Sequence, residues 1–149
     1  MASVLKRRGR IQVRLDEPER VAILDILERL QTHISRALAT TPRAYEDDTK
    51  QAEYDRWVRP EIERGYEADF DVIRDALSAG DELLVLTEAQ VYAWLRGFNQ
   101  LRLAAGSLLA ITEDGWESQA TDDMRARPEF GMLMALGWLQ EELLAALES

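Results

Sequence analysis

The stretch that decides the fold runs from Leu83 to Ala110 and reads LLVLTEAQVYAWLRGFNQLRLAAGSLLA. Its first four residues are apolar, and Thr87-Glu-Ala-Gln90 follows with the capping-box pattern that starts a helix. Apolar residues then recur every three or four positions, as they do on the buried face of an amphipathic helix. The stretch therefore predicts a short extended segment that leads into a helix over residues 88–110. The apolar positions of that helix are Val91, Trp94, Leu95, Phe98, Leu101, Ala105 and Leu108.

The same order of elements occurs near the N-terminus. Residues 10–15 alternate apolar and polar side chains, which is typical of a half-buried strand. Asp16 follows as a helix N-cap and Glu19 completes a second capping box, so a helix is predicted to about Leu38. Two interpretations of the extended segments remain open. They pair as a small two-stranded ribbon on the helices, or both are loops that lead into helices.

Further helices complete the predicted fold. Residues 61–77 carry an apolar stripe, and Pro60 is expected to break or kink the chain in front of them. The last predicted helix covers residues 128–147 and is apolar nearly all round between Phe130 and Leu139, which is typical of a central helix or a subunit contact. We expect an all-α, single-domain bundle of four or five helices over residues 1–149.

Composition excludes several classes of protein. The chain has 149 residues, no cysteine and one histidine, which excludes a disulfide scaffold, a zinc finger, an iron–sulfur protein and a cysteine nucleophile. Carboxylates are plentiful, but their pairs occur no more regularly than chance predicts, so we expect no metal, no cofactor and no catalytic residue. We found neither a signal peptide nor an apolar run of the ~20 residues that a membrane span needs, so we expect a cytoplasmic protein without membrane contact.

The charge is unevenly distributed. Lys+Arg is 18 and Asp+Glu is 28, for a net charge of −10, yet the first fourteen residues contain five basic side chains and no acid. We expect residues 1–9 to be a mobile basic arm, which either contacts an acidic partner or nucleic acid or folds back on the acidic body. Nucleic acid is the less favoured partner, because an acidic body repels phosphate over the ~8–10 Å at which charges act in cell salt.

One polar cluster stands beside the apolar face of the helix over residues 88–110. Arg102 lies three positions after Asn99 and four positions before Gly106, so the three residues share one face of the helix. A glycine inside a helix costs about 1 kcal/mol, which close helix approach usually offsets. An arginine beside a buried stripe needs an acceptor, which the last helix or an acidic pair after the first helix could supply. The residues of this predicted site are Asn99, Arg102, Gly106, Gln140, Glu141, Asp47 and Asp48.

Two functions for this cluster remain open. In the first, Arg102 and Asn99 lock two helices together through a polar network, with a carboxylate as the acceptor. In the second, the same residues floor a pocket for a small anion or a peptide terminus.

Two tryptophans, Trp57 and Trp116, lie outside the best core positions. Trp116 falls in residues 112–128, which are rich in acid and longer than a usual connection, so we expect an acidic loop. An aromatic side chain in such a loop is a candidate hot spot for a protein partner.

A further pattern consists of the stretches Trp94–Gly106, Ile111–Asp114, Leu136–Glu141, Leu144 and Ala146–Leu147. It resembles an actinobacterial family of proteins of unknown function, whose genes are often neighbours of the gene for the Clp protease adaptor. The family pattern includes an acidic pair after the first helix, which Asp47-Asp48 matches. Gln100 stands where an Asp is usual and Leu108 where an Arg is common. The family has no assigned activity, so the resemblance assigns no catalytic residue to this chain.

These observations predict a non-enzymatic protein-interaction or regulatory module, with a link to protein quality control implied by the gene neighbourhood. We expect an unidentified protein partner and a homodimer. The alternative is an enzyme or sensor that binds a small anionic ligand around Arg102 and Asn99.

Overall fold

The computed structural model describes residues 2–39, 45–109 and 122–149. The described part is mostly helical and contains a small antiparallel sheet, so the coarse fold expectation is confirmed, although the sheet has three strands instead of two. The strands are β1 (Ser3–Arg7), β2 (Arg10–Arg14) and β3 (Leu83–Leu86). The helices are α1 (Glu17–Ala39), α2 (Asp48–Glu53), α3 (Arg59–Ser78), α4 (Glu88–Leu108), α5 (Asp122–Ala126) and α6 (Pro128–Glu148).

Of the two interpretations of the extended segments, the sheet confirms the ribbon, and it adds a third strand. Strand β2 pairs antiparallel with β3, and Ile11 lies opposite Leu86. Strand β1 pairs with the other edge of β2. Residues 3–7, expected in a mobile arm, are instead an edge strand, because their backbone pairs with β2 and Val4 packs against the core. Arg8 and Gly9 form the hairpin turn, both with positive φ (53° and 76°), as in a type I′ turn.

Two helices begin at the predicted capping boxes. At the start of α1, the Glu19 N–H donates to Asp16 Oδ1 (2.9 Å) and the Asp16 N–H donates to Glu19 Oε1 (3.0 Å). At the start of α4, the Gln90 N–H donates to Thr87 Oγ1 (3.1 Å) and the Thr87 N–H donates to Gln90 Oε1 (2.8 Å). Each box satisfies backbone donors that have no acceptor inside the helix.

The helix does not break at Pro60. A π-helical turn over Tyr54–Val58 joins α2 directly to α3. The Arg59 N–H bonds to the carbonyl of Tyr54, five residues back. Because proline has no N–H and its ring crowds the preceding turn, a wider turn in front of Pro60 lets the helical path continue.

Helix α4 is central, since it contacts α1, α3, α6 and the strands β2 and β3. At Gly97 the helix faces α3 closely, since an added Cβ would lie 2.6 Å from Ile73 Cδ1. Helix α6 packs against α4 and β1. Within the described residues, α6 alone is long and apolar enough to cross a membrane by length and composition. The largest fully buried side chains are Trp94, Phe70, Phe98, Leu15, Leu27, Leu30, Ile73, Leu77, Leu86, Leu101, Leu136 and Leu143.

Candidate functional site

Arg102 connects α4 to α6 through an amide. Its Nη1 donates a hydrogen bond of 2.6 Å to Oε1 of Gln140, which is 9% exposed. The Gln140 Nε2 in turn donates to the carbonyl of Leu95 on α4 (3.2 Å). The Arg102 guanidinium lies over Gly137, where an added Cβ would sit 3.8 Å from Cζ. The half-buried arginine therefore occupies the seam between the two helices.

The acid expected beside Arg102 is replaced by Gln140. Within the described residues no carboxylate forms an ion pair with Arg102, and Glu141, one position further along α6, is exposed. Asp47 instead caps α2, where its carboxylate accepts from the backbone N–H groups of Thr49 (2.8 Å) and Lys50 (3.1 Å). Asp48 is the first residue of α2. Arg102 thus links α4 to α6, whereas Asp47 caps α2.

Two other members of the predicted cluster lie apart from a helix contact. Asn99 is exposed on α4. A Cβ added at Gly106 would meet no atom of the described residues within 4 Å, so the close approach expected there is found at Gly97 instead. Of the three residues, Arg102 is the one for which the described part of the chain shows a side-chain hydrogen bond to α6.

Arginine also links two other helix pairs, α1 with α3 and α3 with α4. Arg74 on α3 hydrogen-bonds Gln31 on α1. Arg96 on α4 forms a two-point contact with Asp69 on α3, at 3.1 Å and 2.9 Å. Hydrogen bonding to Asp69 raises the pKa of the Arg96 guanidinium above its usual value. The Arg102 contact with Gln140 is therefore one of three such arginine links between neighbouring helices in the described part of the chain.

The predicted hot spot Trp116 lies outside the described residues, as do residues 111–114. The described end of the expected loop over residues 112–128 is the short helix α5, and α6 begins at Pro128. The loop expectation is therefore wrong for Asp122–Ala126.

An aromatic surface lies at the π-helical turn, around the Trp57 that the sequence places outside the best core positions. Trp57 is 63% exposed and Val58 is 44% exposed. Together with Tyr45 and Tyr54, they line a surface cavity of about 380 Å³ whose charged members are Lys50 and Glu53. The available signal was Pro60 three residues after Trp57, since a helix that continues through a proline needs a wider turn, which reorients the side chains before it. We call Tyr45, Tyr54, Trp57 and Val58 the Trp57 surface.

Polar contacts beneath the Trp57 surface hold it in place. Gln51, 7% exposed, accepts from the Tyr45 N–H (3.0 Å) and donates to Asp55 Oδ1 (2.9 Å). The same carboxylate oxygen lies 3.1 Å from Nη2 of Arg59. The guanidinium of Arg56 lies over the Trp57 ring, with its Cζ 4.8 Å from the ring centroid. Because these contacts already hold the backbone around Trp57 in one conformation, a partner that covers Trp57 would cost little conformational entropy.

Chemically, the arrangement suits binding. Within residues 2–39, 45–109 and 122–149, no three acidic or histidine side chains are grouped so that they could hold a metal ion. What the structure brings together instead are helix-linking arginines and exposed aromatic side chains.

A bundle of this kind, with a small sheet and an exposed aromatic surface, defines a helical domain without an assigned activity. The chain belongs to the family described as domain of unknown function DUF2017, whose model matches residues 1–147. No curated protein and no solved structure matches the chain.

Proposed function

We propose that this protein is a non-enzymatic protein-interaction module and that the Trp57 surface binds its partner. The observation that carries the proposal is Trp57 itself, which leaves 63% of its surface in water at a single braced turn. Tryptophan is among the residues that contribute most to binding energy in protein interfaces, because it buries a large rigid area at low entropic cost. The charged side chains of Lys50 and Glu53 supply the polar rim of such an interface.

The proposal is tested by affinity capture from a native lysate with wild type and two single variants. Trp57→Ala is expected to lose the specifically bound protein, since removing a hot-spot tryptophan costs about 2 kcal/mol or more, which is roughly a thirtyfold loss of affinity. Tyr92→Ala is the matched control, because Tyr92 is an exposed aromatic (46%) on α4. Equal capture by wild type and Trp57→Ala would contradict the proposal.

The finer part of the proposal is a cytoplasmic role in protein quality control, with Trp116 as a second contact. Its support is the resemblance to a family encoded beside the Clp protease adaptor. The expected result is retention of purified Clp adaptor by the immobilised protein, weakened by Trp116→Ala. Absence of retention under low salt would remove quality control from the proposal and leave the interaction role standing.

A small-anion site around Arg102 and Asn99 is the second candidate function. Its one supporting observation is the Arg102 Nε, which is buried and has no hydrogen-bond partner in the described part of the chain. Because Nη1 is already bound to Gln140, a ligand would have to reach the arginine from its exposed neighbour Asn99. A thermal-shift screen of phosphates, nucleotides and carboxylates, with and without magnesium, tests it. A ligand whose stabilising effect disappears in Asn99→Ala would support it, and no shift would discard it.

A further inference from the structure

The outer face of the sheet is apolar at its centre and basic around it. Its outward side chains include Leu5 (47% exposed), Leu83 (37%) and Val85 (54%). Leu5 and Val85 lie on either side of Gln12 in one cross-strand row. Exposed apolar side chains in adjacent positions are typical of a surface that another molecule covers.

Three arginines share this face. The register places Arg7 opposite Arg10, and Arg14 opposite Leu83. None of the three has an ion pair or hydrogen bond through its side chain within the described residues, although acids outnumber bases in the chain. We define the sheet face as Leu5, Leu83, Val85, Arg7, Arg10 and Arg14.

Helix α6 carries a surface of the opposite charge. On the solvent side of α6, positions 134, 138, 141, 145 and 148 follow one another at intervals of four and three residues, and the side chain at each position is exposed. Met134 (39% exposed) and Trp138 (42%) form the apolar half of the repeat. Glu141 and Glu148 form the acidic half, and neither has an ion pair in the described part of the chain. We call Met134, Trp138, Glu141, Ala145 and Glu148 the α6 stripe.

We propose that the sheet face of one copy of this chain covers the α6 stripe of a second copy. Each surface combines exposed apolar side chains with charges that have no ion pair within the described residues, and the two charges are opposite. Contact between two sheet faces would set arginine against arginine, and contact between two stripes would set glutamate against glutamate. Pairing the sheet face with the α6 stripe therefore sets arginines against glutamates and lets the exposed apolar side chains of both surfaces leave water. The observations behind this pairing are separate from those that carry the proposed function.

The dimensions of the two surfaces agree. Three strands spaced about 4.8 Å apart form a face about 10 Å wide, which is the diameter of one helix with its side chains. A five-residue strand spans about 17 Å and fourteen residues of helix span about 21 Å. An apolar groove of about 250 Å³ runs beside Trp138 between α1 and α6, lined by Ile23 and Ile26 among others. It offers apolar side chains such as Leu5 of the second copy a position out of water.

A second copy fits these surfaces better than a nucleic acid does. A phosphate backbone needs charged and polar donors and makes no use of the central Leu5, Leu83 and Val85. All 28 acids of the chain lie after residue 14, so a long polyanion on the sheet face would be repelled by the body behind it. The α6 stripe carries two glutamates beside exposed apolar side chains, so it matches both the arginines and the apolar centre of the sheet face.

The test is a charge-swap mixing experiment followed by sedimentation velocity on the full chain. One variant carries Arg10→Glu and Arg14→Glu, and the other carries Glu141→Lys and Glu148→Lys. Wild type is expected to associate as its concentration rises and to dissociate in high salt. Each variant alone is expected to be monomeric, because its sheet face and its stripe carry charges of the same sign. An equal mixture is expected to associate again, because the unaltered sheet face of one variant meets the unaltered stripe of the other, and the reversed sheet face meets the reversed stripe. Circular dichroism checks that both variants fold.

A matched control keeps net charge from explaining the result. Glu28→Lys with Glu67→Lys changes the total charge as much as the stripe variant does, at exposed positions on α1 and α3. It is expected to associate like wild type. A monomeric wild type at every concentration, a mixture that stays monomeric, or an equal loss of association in the control would each overturn the proposal.

Discussion

Arg102 on α4 binds Gln140 on α6, and Gln140 returns a hydrogen bond to α4 at Leu95. A single amide thus accepts from one residue of a helix and donates to another residue of the same helix. Its side chain is buried, so both polar groups of the amide need these contacts. A carboxylate at this position could accept from Arg102 but, when ionised, could not donate to Leu95. That requirement explains why an amide, and not the expected acid, faces the arginine.

We expect Arg102→Met and Gln140→Met each to lower the free energy of unfolding by about 1–3 kcal/mol, because each leaves a polar partner unpaired. The double variant should lose less than the sum of the two, with a coupling of about 1–2 kcal/mol measured by urea unfolding. Arg125→Met, at an exposed position on α5, is the control and should change stability by less than about 0.5 kcal/mol. Additive losses would show that the two side chains do not stabilise the fold as a pair.

Glycine positions in α4 should respond oppositely to alanine. Gly97→Ala places a methyl group 2.6 Å from Ile73 Cδ1, so the buried Ile73 side chain must move and repack, and stability should fall by about 1–3 kcal/mol. Gly106→Ala meets no described atom within 4 Å and should gain about 1 kcal/mol of helix propensity. Urea unfolding of the two variants gives the comparison. A loss of stability at Gly106 would mean that it, too, lies at a close contact.

The sequence predicted most of the fold because local chemistry decides it. The capping boxes at Asp16 and Thr87 set two helix starts by hydrogen bonds within four residues, and apolar spacing set the buried faces. The π-helical turn before Pro60 was missed because proline is compatible with either a break or a wider turn, and only packing chooses between them. The strand β1 was missed because its charges are typical of a solvated arm, while its pairing with β2 depends on the turn at Arg8.

The sequence could not predict which residues of the candidate site contact one another, because those contacts join elements that are far apart in the chain. The spacing that joined Asn99, Arg102 and Gly106 was sufficient to place them on one helix face. It could not specify where along that face α6 lies, and so could not separate the arginine from its two neighbours. The exposed position of Trp57 likewise follows from the extra residue in the π-helical turn, which rotates the face presented to solvent.

Asp47 should matter to the stability of α2 alone. Its carboxylate accepts from the N–H groups of Thr49 and Lys50, so Asp47→Ala is expected to cost about 1 kcal/mol at this helix start. Asp47→Asn should retain the cap, because asparagine caps helices as well as aspartate does. The measurement is amide hydrogen exchange at Thr49 and Lys50, which should accelerate in Asp47→Ala and not in Asp47→Asn. Equal exchange in all three proteins would contradict the cap.

A substitution at Arg8 in the β1–β2 turn should make the protein more stable. Its φ of 53° lies in the left-handed region, which costs a residue with a Cβ about 1 kcal/mol, while asparagine before glycine is the preferred pair for such a turn. Arg8→Asn is therefore expected to stabilise the protein by about 1 kcal/mol in thermal or urea unfolding.

The control for Arg8→Asn is Arg8→Gln, which removes the same charge beside Arg7 and Arg10 without supplying the left-handed preference. It should give a clearly smaller gain, since relief of repulsion between exposed charges is weak. Gly9→Ala, at φ 76°, should destabilise, because alanine adds the steric cost that glycine avoids. If Arg8→Gln stabilised as much as Arg8→Asn, charge and not backbone geometry would be the dominant cost at this turn.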